Sequence, residues 1–164
     1  MKILITYLVT LTIFTLSCFG QKSINLIMSI DNQIAVGSLS NIEITLINHD
    51  DIKESIEVSY YPGNLSISDS GYKKLLSADI KYMLLTFNYF ENCKSGQKKY
   101  NYEIEVKKSW LENHFTVLNI YNTNKRQYKN VYMPLPSKNY TYEVIYPGGS
   151  VRRVTKKMLS NDCN

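Results

Sequence analysis

The sequence predicts an all-β protein, an antiparallel β-sandwich of immunoglobulin-like type with about 8–10 short strands. Apolar and polar residues alternate with a period of two along most of the chain, and turn residues separate the alternating stretches at short spacing. The composition is also rich in tyrosine, with 14 Tyr in 164 residues, which suits strands that bury one face. A barrel is the alternative that the same pattern allows.

The chain begins with the pattern of a secretory leader. Lys2 precedes an uncharged apolar stretch, residues 3–16, which is shorter than the roughly 20 residues that a transmembrane helix needs. We therefore expect a signal peptide over residues 1–20 and a single domain over residues 21–164, exported to the periplasm or the extracellular space. An uncleaved N-terminal anchor is the alternative interpretation.

Two processing routes are open at the end of this leader. Cleavage between Gly20 and Gln21 places the small residues Cys18 and Gly20 at the positions that a signal peptidase site requires. Lipidation of Cys18 would instead anchor the protein as a lipoprotein, but Thr15 and Leu16 fit that motif poorly. We expect cleavage after Gly20, and membrane contact only if Cys18 is lipidated.

The first half of the mature chain is predicted to hold four strands and one helical segment. The strands are the alternating stretches at residues 24–30, 33–36, 42–46 and 56–60. An Asn- and Asp-rich turn, residues 48–51, separates the last two strands. The helical segment is expected around residues 72–76.

The second half is predicted to be almost entirely strands. Residues 79–92 are apolar on both faces, which predicts a central strand, and Gly96 in the following turn can take a positive φ. One helical turn, residues 109–113, is expected with Ser109 as its cap. The remaining strands are predicted at residues 98–108, 115–121, 127–133, 140–146 and 150–155, with 127–133 as the hairpin partner of 115–121.

Two segments resemble a known family. The stretch INLIMSIDNQIAVGSLSNIEITL, residues 24–46, resembles the opening of the periplasmic β-sandwich modules of the GldM family of gliding-motility and type IX secretion proteins. GNLSISDSGYKKL, followed by a long strand, a turn and YEIEVKK, is also similar to them. SWLENH stands where those modules have a proline-rich exit. The resemblance covers roughly residues 24–108 and implies an assembly role with no catalytic residues.

Cysteine usage points to a structural bond. Processing removes or modifies Cys18, which leaves Cys93 and Cys163 in an oxidising compartment. No C-x-x-C motif is present to indicate a redox pair. We predict that Cys93 and Cys163 form a disulfide that ties the C-terminal tail to the region around Cys93, although Cys163 is next to last and can instead be frayed.

The sequence offers no clear catalytic or metal motif. The two histidines, His49 and His114, lie at unrelated positions, and His49 with Asp50 and Asp51 is better explained as a solvated turn than as a cation site. The strand-face pair Glu103 and Glu105 fits a solvent-facing row better than a glycosidase pair. We therefore expect no enzyme activity, no cofactor and no metal. We also expect no nucleic-acid partner, because the net charge of +5 falls to only +4 without Lys2 and such a small excess does not indicate polyanion binding.

Surface charge is therefore the remaining functional signal. Basic residues flank the predicted central hairpin and the last strand, where lysines commonly guard exposed edge strands against edge-to-edge pairing. The functional alternative is a basic contact surface made of Lys98, Lys99, Arg152, Arg153, Lys156 and Lys157. We expect an exported non-enzymatic module that works by contact with a protein or an envelope component. A secreted inhibitor or immunity-type protein, or a small hydrolase, remains open.

Overall fold

A computed structural model describes residues 20–94 and 96–157 of the chain. These residues form twelve strands: β1 Gln21–Ile24, β2 Leu26–Ile30, β3 Gln33–Ile34, β4 Leu39–Asn48, β5 Lys53–Glu57, β6 Ser59–Tyr61, β7 Asn64–Ser68, β8 Ile80–Cys93, β9 Gly96–Val106, β10 Thr116–Asn122, β11 Tyr140–Tyr146 and β12 Gly149–Val151. Three short helices join them: α1 Asp69–Leu75, α2 Lys108–Leu111 and α3 Arg126–Lys129. The prediction of an all-β, sandwich-like fold is confirmed, and the immunoglobulin-like type stays a prediction.

The strands make three sheets. A five-stranded sheet has the order β12-β11-β10-β2-β3, a four-stranded sheet the order β5-β4-β8-β9, and a small sheet the order β1-β7-β6. One cluster of buried hydrophobic side chains joins all three, and it includes Met28 and Val144, Ile44 and Ile104, and Leu65 and Ile67. Each pair comes from a different sheet, so the core lies where the three inner faces meet.

The five-stranded sheet is mixed. Its β2 and β10 run parallel, with Leu26 opposite Thr116 and Ile30 opposite Ile120, whereas its other neighbours are antiparallel. The sequence pattern predicted only antiparallel neighbours. A parallel pair between distant strands leaves no local trace in the sequence, because alternation is the same in either direction.

Two predicted strands each pass from one sheet to another. The stretch at residues 24–30 is interrupted at Asn25, so that β1 pairs with β7 in the small sheet and β2 with β10 in the five-stranded sheet. The stretch at residues 56–60 is interrupted at Val58, where β5 of the four-stranded sheet gives way to β6 of the small sheet. These two crossings tie the three sheets together.

The segment predicted as a strand at residues 127–133 was assigned wrongly. It begins with α3, in which Lys129 donates its backbone N–H to the carbonyl of Lys125 at 2.9 Å, and β10 instead pairs with β11. The ring of Tyr128 is buried edge-on against Tyr121 at a centroid distance of 5.2 Å. The burial of this ring in the folded protein outweighs the preference of the surrounding residues for a strand.

The ends of other predicted elements also differ. β12 ends at Val151 rather than at residue 155, and Thr155 instead forms an isolated antiparallel bridge with Tyr132. The cap of α2 is Lys107, without a side-chain hydrogen bond, so the prediction for Ser109 is wrong. The predicted helical segment is found as α1, whose cap Ser68 accepts from the N–H of Gly71 at 3.1 Å.

Candidate functional site

The six basic residues predicted to form one contact surface belong to two sheets. Lys98 and Lys99 are exposed on β9 of the four-stranded sheet, and as consecutive strand residues they point to opposite faces. Arg152 to Lys157 follow β12 of the five-stranded sheet. Arg152, Lys156 and Lys157 are exposed, whereas Arg153 is half-buried.

Arg153 holds the C-terminal segment against the five-stranded sheet. Its guanidinium lies 4.7 Å from the ring centre of Tyr121 and 4.4 Å from that of Tyr132, and it forms an ion pair with Glu143. The hydroxyl of Tyr121 donates to the same carboxylate at 2.8 Å. Two backbone bonds continue the attachment, from Met133 N–H to the Val154 carbonyl and from Lys156 N–H to the Val131 carbonyl. These contacts give Arg153 a structural role.

Lys125 connects the two large sheets at one end. Its ammonium lies 2.8 Å from the carboxylate of Asp31, after β2, and 2.5 Å from that of Glu91, on β8. Tyr100 donates its hydroxyl to Glu91 at 3.0 Å. Burial alone would lower the pKa of Lys125, but the hydrogen bonds to Asp31 and Glu91 outweigh it and raise that pKa above its ordinary value. The cluster is a charged clamp between sheets.

Several tyrosine side chains form contacts between neighbouring sheets. The hydroxyl of Tyr60, in the small sheet, accepts from the backbone N–H of Met28 in β2 at 2.8 Å. The hydroxyl of Tyr140 accepts from the N–H of Glu103 at 2.9 Å and donates to its carbonyl at 2.7 Å. Tyr102 packs edge-on against Tyr140 at 4.9 Å, and burial raises the pKa of its hydroxyl. The tyrosine content therefore serves the interior as well as the surface.

The histidines and the strand carboxylates lie apart. Within the described ranges no three His, Cys, Asp or Glu side chains are grouped so that they could hold a metal ion. The side-chain oxygen of Asn48 accepts from the N–H groups of Asp50 and Ile52 at 3.0 and 2.8 Å, which is the local turn expected around His49. His114 is exposed. Glu103 and Glu105 are exposed on β9, and Glu103 pairs with Lys138 at 2.9 Å.

The predicted processing and disulfide positions are only partly within the described ranges. Cys93 ends β8, half-buried and without a disulfide partner among residues 20–94 and 96–157, whereas Cys163 and Cys18 lie outside those ranges. Gly20 and Gln21 open the described chain, and Gln21 begins β1. The disulfide and the processing site therefore stay predictions.

An open groove lies where the four-stranded sheet and the small sheet diverge. The register of β4 shifts between Ser40 and Glu43, and Asn41 takes a φ of 49°, a conformation that asparagine tolerates better than most residues. The last backbone bond between the diverging strands runs from Val58 N–H to the Ile42 carbonyl at 3.2 Å. After Val58 the chain continues as β6, which pairs with β7 and not with β4, and the space between the two sheets is a groove of about 690 Å³.

The lining of this groove is mostly polar and contains no basic side chain. It is formed by Gln21, Asn41, Glu43, Glu57, Ser59, Ser66 and Ser68, with Ile42, Val58 and Ile67 between them. Glu43 and Glu57 are direct cross-strand partners, and Glu43 also accepts from the hydroxyl of Thr86 at 3.4 Å. Like charges in directly opposite positions destabilise a sheet, so this pair costs stability.

A second depression continues the groove across the outer face of the four-stranded sheet. It measures about 450 Å³ and shares Asn41 and Glu43 with the groove. Its lining includes Asn88 and Asn101, which lie directly opposite each other on β8 and β9, and the basic residues Lys99 and Lys138. The groove and this depression together form the polar track, a name used below for the two.

Sequence reasoning missed the polar track. Its residues come from seven strands and from positions as far apart as 21 and 138, so no single stretch of sequence carries the signal. The alternation of Glu43, Glu57 and Glu103 with apolar residues on their strands indicated polar outer faces. The pairing of Glu43 with Glu57 depends on the register of β4 and β5.

Comparison of the chain with protein-family models, with curated proteins and with solved structures finds no match. Within residues 20–94 and 96–157, no helix has the length and apolar character needed to cross a membrane. The candidate site therefore rests on the geometry of this chain.

Proposed function

We propose that the chain is an exported, non-enzymatic binding module that acts by contact with a protein or with the surface of the cell envelope. The observation that carries this proposal is the groove of about 690 Å³, an open surface lined by seven polar side chains on paired strands. Strands joined in sheets hold such a surface in one shape, which lowers the entropic cost of binding.

The roles of charged side chains outside the groove support this assignment. Lys125 holds two sheets together, and Arg153, which the sequence analysis assigned to a contact surface, holds the C-terminal segment in place. The groove is the region in which carboxylates stand without a basic neighbour in the lining. An assembly role, which the resemblance to GldM modules implies, is compatible with a contact surface of this kind.

Site-specific photo-crosslinking tests the proposal. A benzophenone amino acid is placed at Ser59, in the groove, or at Ile145, which is 41% exposed on the outer face of the other sheet. Each variant is incubated with an envelope fraction and irradiated. We expect a discrete adduct from position 59 that is absent from position 145. Equal adducts at both positions, or none at either, would count against a groove-directed contact function. An enzyme as the sole adduct would favour the inhibitor alternative.

A further inference from the structure

We propose that the polar track binds a neutral glycan, with one or two sugar units in the groove and the chain continuing toward Asn88 and Asn101. This inference rests on the proposed contact function and narrows it to a ligand class. It follows from the chemistry of the groove lining, from the charge of the groove and from one exposed aromatic side chain at its rim.

The lining matches a ligand that carries many hydroxyl groups. Carboxylate oxygens accept hydrogen bonds, amides both accept and donate, and serine hydroxyls do either, so neighbouring hydroxyls of a sugar find partners of both kinds. The groove offers two carboxylates, two amides and three hydroxyls around about 690 Å³, which is within the roughly 300–1,000 Å³ of small-molecule sites. An apolar ligand would remove water from the groups of the lining that have no partner among the described residues, such as Glu57 and Ser59.

The charge of the groove selects against acidic glycans, whereas the second depression is lined by Lys99 and by Lys138, which pairs with Glu103. Glu43 and Glu57 face the groove from opposite strands, and no Lys, Arg or His lines it. Sulfate, phosphate or carboxylate groups on a sugar would add like charge to this pair. A neutral sugar instead donates hydroxyl protons to both carboxylates, and such charge-assisted bonds are stronger than neutral ones.

An aromatic ring lies beside the groove. Tyr61 is 73% exposed, and it stands two residues after Ser59 on the same face of β6. Its ring offers a flat apolar surface next to polar groups, which suits the apolar face of a sugar ring. In the second depression, the opposed amides of Asn88 and Asn101 provide further donors and acceptors for the part of the glycan that extends beyond the groove.

The test uses the chain from Gln21 onward on an array of neutral and anionic glycans, followed by titration calorimetry with the best neutral hexasaccharide. Hexa-arginine serves as a cationic probe. We expect a neutral glycan to bind, with little change in affinity between low salt and 0.5 M NaCl because screening affects charged partners far more. Ser59→Trp, which fills the groove, should weaken binding at least about tenfold, and so should Tyr61→Ala.

Matched variants keep the test interpretable. Ser55→Trp, on β5 but outside the groove, and Tyr82→Ala, at a tyrosine that is 37% exposed on β8, should bind like the original chain. Circular dichroism confirms that each variant is folded. The inference is overturned if no neutral glycan on the array binds, if only anionic glycans or hexa-arginine bind, or if Ser59→Trp and Tyr61→Ala bind unchanged. A protein adduct from position 59 without glycan binding would refute the glycan and leave the contact function standing.

Discussion

The hydroxyl of Tyr140 takes the place of a neighbouring strand along the edge of β9. It accepts from the backbone N–H of Glu103 at 2.9 Å and donates to the carbonyl of the same residue at 2.7 Å. One side-chain oxygen thus satisfies both backbone groups of an edge residue, at a position where the two large sheets meet. An edge closed in this way cannot accept a foreign strand at that point.

Removal of this hydroxyl should destabilise the protein. Tyr140 is 2% exposed, so in Tyr140→Phe the backbone N–H and carbonyl of Glu103 lose their partner in a largely buried position. We expect a loss of about 1–3 kcal/mol in the free energy of unfolding, measured by urea denaturation. Tyr142→Phe, on the same strand and with no hydrogen bond of its hydroxyl seen among the described residues, is the control. Equal effects of the two variants would refute the assigned role of Tyr140.

Loss of the Lys125 clamp should weaken the junction of the two large sheets. In Lys125→Met, the carboxylates of Asp31 and Glu91 lose the cation between them. The cluster is partly open to solvent, so we expect about 1–2 kcal/mol, less than for a fully buried pair. Lys138→Met breaks the more exposed pair with Glu103 and should cost at most about 1 kcal/mol. Thermal unfolding of both variants measures the difference, and a larger loss in Lys138→Met would contradict it.

The same clamp should make stability depend on pH in the acid range. The ammonium of Lys125, aided by the hydroxyl of Tyr100, holds the pKa of the Glu91 carboxyl below its ordinary value of 4.5. Because the folded-state pKa is the lower one, this contribution is complete above about pH 4.5 and is lost as pH falls through the folded-state pKa. Urea unfolding between pH 6 and 3, as a rough range, should show a shallower decline in Glu91→Gln than in the original chain. Identical slopes would show that Glu91 contributes nothing to acid sensitivity.

The predicted disulfide can be tested directly. If Cys93 and Cys163 are joined, a non-reducing digest of the exported protein will contain one peptide pair that separates on reduction. In the entropic account a loop of this length contributes roughly 4 kcal/mol, so reduction should lower the unfolding midpoint. Cys93→Ser should then show the same midpoint with and without reductant. Free thiols at both positions in the exported protein would disprove the bond.

The processing prediction has an equally direct measurement. Intact-mass and N-terminal peptide analysis of the exported protein should find a chain that begins at Gln21. Cys18→Ser should leave export and the mature mass unchanged, since cleavage after Gly20 discards this residue. A mature chain that begins with a lipid-modified Cys18 would instead establish the lipoprotein route.

Local patterns predicted those strands whose two faces see different surroundings. Tyr102, Ile104 and Val106 are buried and alternate with exposed glutamates, and β9 was found where that alternation placed it. The segment at 127–133 failed for the opposite reason. Its conformation depends on the burial of Tyr128 against Tyr121, a contact that no spacing within the segment reveals.

The assembly of the sheets could not be predicted from the same patterns. Alternation continues across Asn25 and Val58, since a strand buries alternate residues whichever sheet it joins. The structural role of Arg153 could not be predicted either. Its contacts with Glu143 and Tyr121 require β10, β11 and the C-terminal segment to be packed together. Charge is visible in a sequence, but the partners of a charge are not.

The parallel pair of β2 and β10 affects the order in which the five-stranded sheet can form. Leu26 pairs with Thr116 and Ile30 with Ile120, so β2 cannot gain β10 as a neighbour until most of the protein has been synthesised. During that interval the early β-hairpins can form, but the five-stranded sheet cannot be completed. The closing step of this sheet therefore depends on the last third of the chain, although one of its inner strands lies near the start.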